Sequence, residues 1–287
     1  MTTGHFFSKR RTLNCNGRLL NIDKPIVMGI INLTPDSFFE GSRHYRNVLG
    51  AIEKAEEMLS QGAAIIDLGA SSSRPGSAQL DQEQERERLM PALKAIRKQF
   101  PQAFISVDTY WGSLAWEAYN EGADIINDIS GGDFDPEMFE TVARTKLPYI
   151  LMHIKGTPQT MQLNPQYDNI IKEVSIWFAN KIERLKQSGI KDIILDPGFG
   201  FGKNMEHNYQ LMFHLNHFRI FEMPLLVGIS RKSMITKLLD IQAPEALNGT
   251  TALNTLALLN GADILRVHDV KEALETIMIV EKYNQNV

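Results

Sequence analysis

Only one cysteine, Cys15, occurs in 287 residues, so no disulfide can form within the chain. A lone thiol fits a reducing compartment, and it serves more often as a small buried side chain than as a reactive group. Long apolar runs are missing too. No stretch is long enough to span a bilayer, and residues 1–11 carry no apolar signal core. A soluble, cytoplasmic protein is expected. Excess positive charge is also lacking: a formal net charge of -4 offers no general attraction to nucleic acid or anionic lipid. Any phosphate chemistry must rest on a few placed basic groups. The glycines at 198, 200 and 202 do not have the spacing of the dinucleotide fingerprint.

What is present is apolar substance in short, regular pieces. Hydrophobic residues make up 43% of the chain, enough for a large core. The length suits a closed (β/α)8 barrel, typically about 250 residues. Near the start, Asn16-Gly17 separates Thr12-Leu13-Asn14-Cys15 from Arg18-Leu19-Leu20-Asn21-Ile22. Asn-Gly between strand-like runs predicts a type I′ hairpin, because both central residues need positive φ. Residues 1–24 are read as an extension whose hairpin plugs the bottom of a barrel formed by 25–287.

An internal repeat supports the barrel. Gln61-Gly62-Ala63-Ala64-Ile65-Ile66-Asp67 is echoed by Glu121-Gly122-Ala123-Asp124-Ile125-Ile126-Asn127 and Asn260-Gly261-Ala262-Asp263-Ile264-Leu265-Arg266, and more loosely by 188–196. Each unit reads as a helix closed by a glycine, a short loop and a buried strand. Filling the gaps predicts strands at 26–32, 63–69, 103–108, 124–128, 148–153, 192–196, 224–230 and 263–268, with helices between them. Eight αβ units without a linker make a TIM-type α/β barrel the economical reading.

The strand ends carry the chemistry. In order they supply Asn32, Asp67, Asp108, Asn127 with Asp128, His153, Asp196, Ser230 with Lys232, and Arg266 with His268. Polar groups gathered at the C-terminal face of a barrel describe a small-molecule site. For Asp67 and Asp128, a structural role as a cap competes evenly with a role in the site. The sharpest single stretch is Leu195-Asp196-Pro197-Gly198-Phe199-Gly200-Phe201-Gly202-Lys203, a buried strand ending at a carboxylate and a glycine-rich turn. Lys203 is read as a solvated surface residue.

With these residues in view the chain resembles the dihydropteroate synthases, pterin-binding barrels of folate biosynthesis. The resemblance runs from Pro25 onward. It is carried by Gly29-Ile30-Ile31-Asn32-Leu33-Thr34-Pro35-Asp36-Ser37-Phe38, Leu195 to Lys203, Met152 to Gln162, Ser230-Arg231-Lys232-Ser233 and Arg266-Val267-His268-Asp269-Val270. It implies that p-aminobenzoate displaces pyrophosphate from 6-hydroxymethyl-7,8-dihydropterin pyrophosphate, giving 7,8-dihydropteroate. Asp108, Asn127, Asp196, Lys232, Met152, Gly200 and Phe201 are the implied pterin contacts. Ser233, Lys232 and Phe201 are those of p-aminobenzoate; Arg266, His268, Arg74 and Ser73 hold the pyrophosphate, and Asn32 reaches its Mg²⁺. A homodimer is implied as well, with no nucleic acid or membrane partner.

One loop departs from the family. Where Glu-Ser-Thr-Arg-Pro-Gly is usual, this chain has Ser71-Ser72-Ser73-Arg74-Pro75-Gly76, losing the acid and a threonine methyl. This loop and residues 34–45 are expected to close over the site. Three other readings compete: a methyltetrahydrofolate corrinoid methyltransferase, which has no use for a pyrophosphate grip; a Schiff-base aldolase using Lys232; and a pterin-binding barrel without turnover.

Overall fold

The computed structural model of the chain describes residues 11–33, 43–71 and 80–285. A hairpin leads, with β1 (Thr12–Cys15) antiparallel to β2 (Arg18–Asn21). Asn16 and Gly17 have φ of 52° and 82°, the two left-handed residues that a type I′ turn requires. Then come β3 (Ile26–Asn32), α1 (Arg43–Ser60), β4 (Ile65–Gly69), α2 (Gln82–Gln99), β5 (Phe104–Asp108), α3 (Gly112–Asn120), β6 (Ile125–Asp128) and α4 (Met138–Thr145). The chain continues through β7 (Tyr149–Met152), α5 (Ile170–Gln187), β8 (Ile193–Asp196), α6 (Met205–Phe213), β9 (Leu226–Val227), α7 (Ser233–Leu239), α8 (Leu247–Leu259), β10 (Ile264–Val267) and α9 (Val270–Asn284).

The strands from β3 onward are all parallel, in the order β8-β7-β6-β5-β4-β3-β10-β9. A bridge between Leu195 and Leu225 joins the two ends, and Leu195 N–H donates to Pro224 O at 2.9 Å. The sheet is thereby a barrel. The repeat is legible in its turns: Gly62, Gly122, Gly189 and Gly261 have φ between 86° and 100°, each ending a helix before a strand. β9 is shorter than the expected 224–230. Beyond Val227 the chain leaves the ladder for a tight turn, in which Lys232 N–H bonds Ile229 O at 3.1 Å and Arg231 has a φ of 59°.

Two apolar layers follow from the pleat. Alternate strand residues such as Ile66, Val107, Ile126, Leu151 and Leu195 face the helices. Their neighbours Met28, Ile65, Ile125, Ile150, Ile194, Leu226 and Ile264 fill the barrel's lower interior together with Leu13, Cys15, Leu20 and Ile22 of the hairpin. The hairpin is therefore the floor plug. Aspartates of the repeat clamp it: Arg18 bonds Asp124 at 2.7 Å, Asn14 N–H bonds Asp192 at 3.1 Å, and Arg11 pairs with Asp263. Burial pushes the Cys15 thiol up to about 12, so it behaves as a small apolar side chain.

Candidate active site

The same pleat decides which strand ends face the barrel's upper interior. Counting by twos from the floor layer leads to Asn32, Asp67, Asp108, Asn127, Met152, Asp196 and Arg266, while Ser230 and His268 lie past the ends of β9 and β10 and bond each other. Asp128 and His153 fall on the other face, which corrects their expected convergence with the rest. Asp128 accepts from Ser130 N–H at 2.7 Å, Gly132 N–H at 2.8 Å and the buried Tyr149 hydroxyl at 2.7 Å. It is a structural residue. His153 packs edge-on to Trp177, with ring centres 5.0 Å apart.

Asp67 belongs to the interior. It is fully buried and accepts from Arg266 Nε at 2.7 Å and Asn127 Nδ2 at 3.2 Å. Arg266 Nη2 also reaches Asp108 at 2.8 Å. The guanidinium expected to meet a pyrophosphate is thus already held between two carboxylates, and Asn127 is oriented by one of them. Burial pushes the Asp108 carboxyl upward, and Arg266 opposes that shift.

Asp196 is buried at the end of β8, and its Oδ1 accepts from Gly198 N–H at 2.7 Å. Burial raises its pKa against Lys232, the Gly198 N–H, Arg266 and Lys203. Gly198 has a φ of 71°, and a Cβ there would lie 1.9 Å from His153 O. At Gly202 a Cβ would lie 2.3 Å from Lys155 O. The glycines therefore let this turn lie backbone against backbone on the segment after β7, which explains their spacing. Gly200 N–H bonds Asn208 Oδ1 at 2.7 Å, and its carbonyl accepts from Gln162 at 2.6 Å.

Lys232 donates to Phe199 O at 2.5 Å, and its Nζ lies 4.6 Å from the Phe201 ring centre. Burial pulls its pKa down to about 8, with Asp196 opposing. Phe201 and Met152 share an apolar patch with Tyr110, Ile129, Ile154 and Met161. Ser233 is exposed at the first position of α7. His268 Nδ1 is 3.0 Å from Ser230 Oγ. Asn32 is half-buried at the end of β3. Ser73 and Arg74 lie outside the described residues, as does most of both expected covering loops.

Lys203 overturns its reading as a surface residue. It is only 2% exposed, and its Nζ reaches His153 Nδ1 at 2.9 Å and Phe201 O at 2.9 Å. A lysine at the end of a glycine-rich turn looks solvated in sequence. Only the fold of that turn onto β7 buries it.

A closed barrel whose upper interior gathers three carboxylates, two amides, an arginine, a lysine and an apolar shelf is that of a ligand-binding enzyme of the pterin-binding class. The family model described as "Pterin binding enzyme" matches residues 28–268, and the chain belongs to that family. The Escherichia coli (strain K12) dihydropteroate synthase is 45% identical over 271 residues, covering 94% of this chain and 95% of the relative. A Yersinia pestis dihydropteroate synthase structure in a sulfonamide drug complex has a TM-score of 0.90 at 42% identity, covering 96% of this chain and 100% of that one. A Xanthomonas albilineans dihydropteroate synthase structure with 4-aminobenzoic acid has a TM-score of 0.90 at 34% identity, covering 97% and 100%. Within the family the chain falls among the dihydropteroate synthases, which are transferases; the methyltransferase reading is not favoured.

Proposed function

We propose that this enzyme joins 6-hydroxymethyl-7,8-dihydropterin pyrophosphate to p-aminobenzoate, releasing pyrophosphate and 7,8-dihydropteroate. The observation that carries the reading is the buried carboxylate of Asp196 beside Lys232. One oxygen is held by the turn, and the other remains to accept from the pterin's amino and ring N–H donors. Asn127, fixed by Asp67, and Asp108 complete the polar edge, while Met152, Gly200 and Phe201 line the ring's surroundings. Lys232 donates to the pterin and, with Phe201 and Ser233, receives p-aminobenzoate, the ligand of the Xanthomonas albilineans relative. Sulfonamides, as in the Yersinia pestis complex, occupy that same half of the site in this reading.

The chemical task is breakage of the methylene–oxygen bond. The electron-rich pterin shares the positive charge of the methylene, and Arg266 on β10 and His268 directly after it take up negative charge on the departing pyrophosphate with Ser73 and Arg74. The free amine lone pair of p-aminobenzoate then attacks the methylene and loses a proton. Among the described residues no group of three or more ligating side chains could hold a resident metal. The lone neutral oxygen of Asn32 fits Mg²⁺ that arrives on the pyrophosphate and keeps most of its waters. When bound, that ion would neutralise leaving-group charge.

A homodimer is supported by apolar side chains left exposed on neighbouring helices: Leu256 and Leu259 of α8, and Met278, Ile279 and Tyr283 of α9. The cytoplasm is the proposed compartment, supported by the single buried thiol; among the described residues no helix is long and apolar enough to cross a membrane. Pyrophosphate release from the pterin substrate tests the reaction. It is expected only when p-aminobenzoate and Mg²⁺ are both present; release indifferent to p-aminobenzoate would overturn the reading.

A further inference from the structure

Lys203 closes the glycine-rich turn below Asp196, and nothing in the proposed reaction uses it. Its Nζ donates to Phe201 O at 2.9 Å and His153 O at 3.3 Å, and it lies 2.9 Å from His153 Nδ1. An ammonium carries three N–H donors, and it satisfies all three contacts when the His153 proton sits on Nε2. Burial works against that charge and drives the lysine well below its usual range, while Asp196 favours it. No carboxylate touches Lys203 among the described residues. Instead a Cβ on Gly198 would lie 3.4 Å from Nζ, and Gly198 is the residue whose N–H holds Asp196 Oδ1. The cation therefore sits directly behind the peptide that grips the carboxylate.

We propose that Lys203 is a positioning residue for the dihydropterin, a buried ammonium that braces the 197–203 turn through the carbonyls of Phe201 and His153 and keeps Asp196 ionised from behind. The proposal rests on the assignment of Asp196 to the pterin. Other charges face the same carboxylate: Lys232 from the turn after β9 and Arg266 from β10. Lys232 is engaged by Phe199 O, and Arg266 by Asp67 and Asp108. Around Lys203 itself stand His153, Lys155 and Lys232, with His207 on α6 feeling its charge; Lys155 is paired with Glu173 at 3.2 Å. Asp196 is the one carboxylate that favours the charge on Lys203 among the described residues, so Lys203 adds to Lys232 and Arg266 from the side of the turn that they do not reach.

The test is titration of a pterin lacking the pyrophosphate, across the acid range, into wild type, Lys203→Gln and Lys203→Met. Gln can still donate to both carbonyls but has no charge. A raised Asp196 pKa means that pterin binding fails at a higher pH, so the acid midpoint should move upward by about half a unit or more in both variants. A merely structural lysine would lower affinity by one factor at every pH. An unmoved midpoint in a folded variant overturns the proposal. Should neither variant fold, the Nζ resonance of Lys203 in ¹⁵N-lysine-labelled wild type decides: an ammonium at neutral pH supports the proposal and a neutral amine overturns it. Asp196→Asn is titrated alongside. Undiminished pterin affinity in that variant would remove Asp196 from the pterin site and the proposal with it, a failure distinct from an unmoved midpoint.

Discussion

In the proposed reaction Asp196 does two jobs with one carboxyl. Oδ1 fixes the turn through Gly198 N–H, so an asparagine can keep that bond with its own oxygen and must then present its NH₂ to the ligand. Asp196→Asn is expected to hold its thermal midpoint and lose pterin affinity by about 2–5 kcal/mol, because a charge-assisted bond becomes a donor facing a donor. Titration and melting on the same protein check it; a lower midpoint with unchanged affinity would leave Asp196 a turn cap only. Glu85, in the first turns of α2, is a different case. Both its oxygens are buried, and burial pushes its pKa up to about 7, a side-chain interaction with the Thr109 hydroxyl opposing. A carboxyl raised above its unfolded value binds protons more tightly when folded, so stability is lost as pH rises from the unfolded pKa, near 4.5, toward 7. Glu85→Gln is therefore expected to melt above wild type at about pH 8, with the gain gone by about pH 5. A gain equal at both pH values would show that the carboxyl's charge is not the cause.

Among the elements, the hairpin and the glycine turn act at opposite ends of the barrel. Leu13 projects from β1 into the floor layer beside Leu20 and Ile22, and it is nearly unexposed. Leu13→Ala should cost about 2–5 kcal/mol of stability, the transfer and cavity terms of a core leucine. Pterin affinity should stay unchanged, since the groups proposed to hold the ligand stand on the other end of the strands. Urea unfolding and pterin titration of the variant check both halves, and a parallel fall in affinity would mean that the two ends are coupled. The turn after β8 depends on contacts with the chain beyond β7, where backbone meets backbone at Gly198 and Gly202. Those glycines were legible in sequence as a turn. The partner against which they pack was not, because it lies some fifty residues earlier, at His153 and Lys155.

At the scale of the molecule, the barrel leaves apolar side chains of α8 and α9 in solvent. Ile279 is 69% exposed and Met278 61%. A second copy seated there would cover them, and charge placed at the centre should prevent it. Ile279→Asp is expected to sediment as a monomer where wild type sediments as a dimer. A wild-type monomer, or a variant that stays dimeric, would remove these helices from any interface.

The architecture was legible in sequence because each barrel unit is local. A glycine with positive φ, a short loop and a buried strand recur within a few residues, and Asn16-Gly17 dictates its own turn. The interior-facing side chains were legible in part. The pleat separates Asn127 from Asp128 and Met152 from His153, and counting by twos from the floor layer would have sorted them. Charge pairing was not legible. Arg266 meets Asp67 and Asp108 across 199 and 158 residues of chain, and Lys203 meets His153 across 50. No periodicity encodes such distances. Whether a lysine is solvated or sealed, and whether an arginine is free or already paired, is decided only when barrel closure brings remote strand ends together and expels the water that would have screened them.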